Sequence, residues 1–171
     1  MLRFARRLIA FRREHPVFRR PKFFQGRPIR GAGIRDIMWF NSTGAEMTNA
    51  EWSSWFVRVL GMLLSGVAMD VRDPHGRPIQ DGTFIVLLNA YWERVPFILP
   101  GKRDVEWELI IDTSEDDGFL GVSKYYASSA PFDLGPRSLG VFGLHEGTDA
   151  QARAEAWQTA AGAAADSGEA K

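Results

Sequence analysis

Phe84-Ile85-Val86-Leu87-Leu88-Asn89, Val95-Pro96-Phe97-Ile98-Leu99 and Val105-Glu106-Trp107-Glu108-Leu109-Ile110-Ile111 follow one another within 28 residues, the last two parted by Pro100-Gly101. Each run is rich in β-branched or aromatic residues, is shorter than an ordinary helix and is bounded by turn formers, so each reads as a strand. The same signal extends outward in both directions. Ile34 to Phe40, Trp55 to Leu64 and Val67 to Val71 precede the stretch, and Ser138 to Leu144 follows it. Between the runs stand Ser42-Thr43-Gly44, Asp73-Pro74-His75-Gly76, Gln80-Asp81-Gly82 and Asp116-Asp117-Gly118, which are turn sequences. Seven short runs with this punctuation predict a mainly β fold, an antiparallel β-sandwich with Greek-key connections, over residues 34–147.

Helical signals lie at the margins. Phe4, Leu8 and Phe11 recur at helical spacing, with Ala5 and Ile9 on adjoining rows and arginines at 3, 6, 7, 12 and 13 around them. This predicts an amphipathic helix over Leu2 to Glu14 that ends before Pro16, because proline disfavours a helical residue ahead of it. Residues 19–33, rich in Arg, Pro and Gly, predict an extended linker, so residues 1–33 read as helix plus linker. Thr48 followed by Glu51 is a capping-box pattern that opens a short helical turn. Residues 148–171 form an alanine-rich tail, with a helix from Thr148 to Gly162 and a polar end too poor in apolar residues to stay ordered.

A chain of 171 residues with 45% hydrophobic residues buries roughly 70% of its unfolded surface, enough for one core. It has no cysteine, which excludes disulfides and thiolate chemistry and fits a reducing cytoplasm. No apolar run nears the roughly 20 residues of a membrane span, and arginines interrupt residues 1–20 where a signal peptide needs an apolar region. The net charge of zero hides a division. Residues 1–35 hold eleven Arg or Lys and one acid, Glu14, while the rest hold ten bases and twenty acids. The two parts are expected to attract each other. A basic arm also suits a nucleic-acid binder or a transit segment, but its arginines surround an apolar stripe, so neither a nucleic-acid nor a membrane partner is expected.

Motifs for chemistry are sparse. Glycoside hydrolysis needs two carboxyl groups about 5 to 10 Å apart, and Glu46, Asp70, Asp81 and Asp112 are available without a supporting motif. His15, His75 and His145 lack metal-ligand spacing, and Ser53, Ser54 and Ser123 lack the Gly-x-Ser-x-Gly turn of a nucleophile elbow. No catalytic residue, metal or cofactor is therefore assigned. Trp39, Trp52, Trp55, Trp92 and Trp107 offer planes on which sugar rings pack, although tryptophans in a small sandwich also fill cores.

Two stretches carry a family resemblance: Leu8-Ile9-Ala10-Phe11-Arg12-Arg13-Glu14-His15-Pro16, and Phe23-Phe24-Gln25-Gly26-Arg27-Pro28-Ile29-Arg30-Gly31 followed by Asp36-Ile37-Met38-Trp39-Phe40, Gly44-Ala45-Glu46-Met47-Thr48 and Trp52. Over residues 8–144 the chain resembles the C-terminal portion of bacterial glycogen debranching enzymes, isoamylase-type members of the alpha-amylase superfamily. The resemblance implies hydrolysis of α-1,6 branches of glycogen or limit dextrin by a preceding (β/α)₈ barrel, which takes about 250 residues. A chain of 171 residues has no room for one, so this region is expected to prop the barrel and to be non-catalytic alone. It also implies that the first helix is the last of the barrel, and that Met1 falls where a longer protein is under way, as in a truncated or split gene or a start site assigned too late.

On that basis Trp39, Glu46, Met47 and Trp52, in the stretch joining barrel to sandwich, are candidates for contact with the barrel or with glycan. Phe4, Leu8 and Phe11 would lack their barrel partner. At roughly 25 cal/mol per Å², leaving them wet forfeits several kcal/mol, so self-association through this face, or its capture by a partner, is expected. Two other readings compete: a free-standing carbohydrate-binding module using the tryptophans, and a nucleic-acid binder led by the basic arm.

Overall fold

A computed structural model describes residues 1–26, 35–67, 69–101 and 105–145. The expected tail lies outside the described residues, as does part of the linker. Among the described residues eight strands form two antiparallel sheets: β1 (Ile37–Phe40), β2 (Val59–Leu64), β3 (Phe84–Asn89), β4 (Val95–Ile98), β5 (Glu106–Asp112), β6 (Phe119–Ala127), β7 (Pro131–Leu134) and β8 (Ser138–Leu144). Six make one sheet in the order β1-β2-β3-β8-β5-β6, and β4 pairs with β7 in the other. The expected mainly β, sandwich-like arrangement with an N-terminal helix is what the chain adopts.

The large sheet is covered on both faces. On one side Met38, Phe40, Leu63, Ile85, Leu87, Trp107, Leu109 and Phe142 meet Phe97, Leu99, Phe132 and Leu134 from the small sheet and its flanks. Alternation along each strand sends the intervening residues to the other face. There Leu64, Phe84, Val86, Ile111, Phe119 and Val141 pack with Val17 and Met69. A bulge between Leu109 and Ile111 shifts the register of β5, and Ile110 and Ile111 both join this second cluster. Gly61 is fixed by packing, since a Cβ there would stand 2.7 Å from Phe97 Cζ.

The second cover is the N-terminal segment. Helix α1 (Leu2–Glu14) has the expected bounds and leads into a 3₁₀ turn, Pro16–Arg19. Phe4 lies 5.6 Å from Phe119 between ring centroids, and Phe11 lies 5.7 Å from Phe84 and 5.4 Å from Phe18. The stripe expected to be orphaned thus has a partner within the chain. Phe4 and Phe11 are half-buried on the outer face of the sheet, because β3, β8 and the Phe119 end of β6 present apolar side chains there. Leu8 remains 42% exposed, and an apolar cavity of about 490 Å³ separates Phe4, Leu8 and Phe11 from Val86, Leu139 and Val141. The attraction between the basic N-terminal part and the acidic remainder is realised in pairs: Arg3 with Asp117, Arg20 with Asp36, Lys22 with Asp70 and Arg35 with Glu46, while His15 Nδ1 sits 2.9 Å from Asp81 Oδ1.

Three sequence readings need correction. Among the described residues of the Val67 to Val71 run none lies in a strand: Met69 is buried, Val71 belongs to the outer cluster, and a small loop closed by the Arg72–Pro78 bridge follows. Strands β6 and β7 carry no run in the sequence reading. β6 is an exposed edge whose pattern is interrupted by Gly121, Ser123 and Lys124, and β7 is four residues long and opens on a proline.

After β1 the chain doubles back tightly. Gly44 adopts φ +78°, a conformation glycine reaches without strain, and a Cβ there would meet Ile98 O at 2.8 Å. Helix α2 (Asn49–Trp52) follows with the expected capping box: Thr48 Oγ1 accepts from Glu51 N, and Glu51 Oε2 accepts from Thr48 N at 2.8 Å. The backbone hydrogen bond from Thr48, with support from the Asn41 amide and the Thr48 hydroxyl, holds the Glu51 carboxyl below its ordinary range.

Changing Phe11 to Ala should lower unfolding free energy by about 2 kcal/mol, less than for a fully buried ring, while Leu8→Ser should cost under about 1 kcal/mol; denaturant titration distinguishes them. A Phe11 variant as stable as the parent would mean that the helix does not rest on the sheet in solution. The depressed carboxyl of Glu51 stabilises the folded state above its unfolded pKa, and that contribution fades as pH falls through the folded value. Glu51→Gln should therefore flatten the acid side of the hydrogen-exchange profile of the α2 amides.

Candidate functional site

A cleft of about 820 Å³ opens at one end of the sandwich, lined by Asn41, Ser42, Met47, Ala50, Glu51 and Ser54 on one stretch, Phe56 to Val59 on the next, and Tyr91 and Val95 opposite. Its walls are set by the folding of β1 and β3. Asn41 Oδ1 accepts from Thr43 N at 3.0 Å and from Thr43 Oγ1 at 2.7 Å, which fixes the turn. The chain then returns beside β1, with Met47 N donating to Trp39 O at 2.8 Å. Across the cleft, buried Asn89 donates from Nδ2 to Glu93 O at 2.9 Å and to Gly135 O at 2.8 Å, and its Oδ1 accepts from Tyr91 N at 2.8 Å. One amide side chain thereby sets the loop that carries Tyr91 and Trp92.

Two of the lining residues are aromatic and pair with exposed tryptophans. Trp55 is 87% exposed and pairs edge-on with Phe56, 65% exposed, at 6.0 Å between centroids. Trp92, 57% exposed, lies against Tyr91 at 4.1 Å. The Arg58 guanidinium stands 5.3 Å from the Tyr91 centroid and 5.2 Å from that of Trp92, within cation–π range. Asn41 Nδ2 donates to Glu51 Oε1 at 2.8 Å.

The four site residues named from the sequence divide. Trp39 and Trp52 meet edge-on at 5.5 Å, with Trp52 half exposed. Met47 is buried and lines the cleft. Glu46 lies outside the lining, bridged to Arg35 by both carboxylate oxygens. Tyr91, Phe56, Arg58 and Asn41 were missed. Their signal was present only as polar and aromatic residues in the segments flanking strands, and nothing in spacing alone brings residues 41 to 58 beside residue 91. Trp107, by contrast, is fully buried, with Nε1 donating to Pro100 O at 2.9 Å.

The four carboxylates weighed for chemistry are scattered and engaged. Glu46 holds Arg35; Asp70 holds Lys22, whose hydrogen bond and charge keep that carboxyl low; Asp81 accepts from Val17 N; and Asp112 accepts from Ser114 N and Oγ. Glu51 is the single acid lining the cleft. Among the described residues no three His, Asp or Glu side chains gather as a metal-ligand set, and no helix is long and apolar enough to cross a membrane.

No family model matches the chain. It is 34% identical over 141 residues to glycogen operon protein GlgX homologues of Mycobacterium bovis and of two Mycobacterium tuberculosis strains. The match covers 81% of this chain and 19% of each relative, so the chain spans about a fifth of the length of the curated relatives it matches. It is accordingly homologous to one portion of these glycogen operon protein GlgX homologues.

Proposed function

We propose that this chain is the accessory β-sandwich region of a cytoplasmic glycogen debranching system and does not itself hydrolyse glucan. The observation that carries the reading is the uneven match: similarity runs along 81% of this chain yet occupies 19% of its relatives. Hydrolysis of α-1,6 branches belongs, on this reading, to a (β/α)₈ barrel supplied elsewhere, and the sandwich props it. The disposition of acids supports the same view. A glycosidase sets one protonated and one ionised carboxyl across the scissile bond, whereas the cleft is lined by one carboxylate, Glu51, already used as a helix cap. Trp39 and Trp52, which meet edge-on, are the surface we assign to the barrel. The exposed apolar residues of α1, Leu2, Leu8 and Ile9, are what remains for contact with a barrel or a second copy.

Purified chain incubated with pullulan, glycogen or limit dextrin should release no reducing ends above a heat-denatured control. Turnover that disappears on changing Glu51 to Gln, or Glu46 to Gln, would overturn the reading and identify the acid.

A further inference from the structure

We propose that the cleft between residues 41–59 and 91–95 is a surface binding site for a linear α-glucan chain. Sugar rings present a C–H face and a rim of hydroxyls, so they are recognised by exposed aromatic planes bordered by hydrogen-bonding groups. Both are present here. Phe56 and Tyr91 both line the cleft, and each pairs with an exposed tryptophan, Trp55 and Trp92 respectively. Arg58 lines the cleft with its guanidinium near the Tyr91 and Trp92 rings, and its side-chain N–H groups make no hydrogen bond or ion pair among the described residues. Ser54 lines the cleft, and its Oγ is buried without a hydrogen-bond partner. A buried hydroxyl left unpaired is costly, and a ligand hydroxyl would satisfy it.

The lining discriminates among occupants. Arg58 is its single cation and Glu51 its single acid, so there is no track for a phosphate backbone, which takes several Lys or Arg. An apolar helix would leave Ser54 and Arg58 unmet. A cleft of about 820 Å³ falls within the range of small-ligand sites. The choice of α-glucan over another saccharide rests on the reading of the chain as part of a glycogen-debranching system; the saccharide class rests on the cleft itself.

Titration of the chain with maltoheptaose, followed by tryptophan fluorescence and calorimetry, tests this. Saturable binding is expected, weakened about tenfold or more in Trp92→Ala and in Arg58→Ala, a loss of about 1.4 kcal/mol. Val122→Ser, an exposed change on the edge strand β6, should leave it unaltered. All three side chains are exposed, and an unchanged thermal midpoint checks that each variant is folded. Ser54→Ala should weaken binding without lowering stability. A flat titration, or binding that survives both Trp92→Ala and Arg58→Ala, overturns the site. Equal binding of cellohexaose overturns the α-glucan assignment. Absent binding with absent hydrolysis sinks this site and leaves the accessory reading standing, whereas hydrolysis with saturable binding does the reverse.

Discussion

A sheet whose central strands are apolar on both faces has to be covered twice, and most of this structure follows from that requirement. Strand β3 contributes Ile85 and Leu87 to one cluster and Phe84 and Val86 to the other, and all four are buried. The small β4–β7 sheet closes one face with four large side chains. It is too narrow to wrap around to the second. The N-terminal segment, with Met69, Val71 and Ile79 from the β2–β3 connection, closes that one.

The two covers are held differently. The small sheet is joined by short connections and by packing that leaves no room for a Cβ at Gly61. The N-terminal cover is tied by carboxylates. Buried Asp36 accepts from Arg20 Nη1 at 3.0 Å and from Gly26 N at 2.9 Å, while Asp81 receives Val17 N at 3.0 Å beside His15. Removing one partner of a buried pair costs about 3–5 kcal/mol because the other charge is left unpaired, so Arg20–Asp36, with side chains only 4% and 3% exposed, anchors more firmly than the exposed Arg3–Asp117 or Lys22–Asp70 pairs, which salt and solvent screen. The cavity under α1 marks where this cover fits least closely, and hydrophobic contact there is correspondingly thin.

How much of this was legible in the sequence depended on burial. β3 and β8 lie in the middle of the sheet, read as continuous apolar runs, and matched residue for residue; α1 matched because its arginines outline a 3.6-residue period. β6 was invisible because an edge strand facing water needs no apolar alternation, and β7 because four residues opening on Pro131 resemble a loop. Val67 to Val71 misled in the opposite sense: Met69 is buried in a loop folded over the outer face, and burial alone does not make a ladder. The partner of Phe4 and Phe11 was missed because a strand run says that both faces are apolar but not which element covers each. Met47, which lines the cleft, was named from a resemblance confined to one stretch, whereas the placing of Tyr91 beside Arg58 depends on the β2–β3 pairing that sets Ala90 N on Arg58 O at 2.8 Å, a long-range register that no local pattern encodes.

The asymmetry between the ends of the sandwich follows from the same pairing. Aromatic side chains exposed to water are disfavoured unless backbone constraints hold them there. At the cleft those constraints are polar: the Asn41 turn, the Thr48–Glu51 box and the four contacts of Asn89, each fixing a loop by hydrogen bonds rather than by burying its rings. A loop fixed through its backbone keeps Trp55 and Trp92 exposed without letting them collapse into the core, as Trp107 does. That arrangement preorganises a rigid aromatic surface before anything binds to it, and so reduces the ordering cost that flexible surface rings would bring to association.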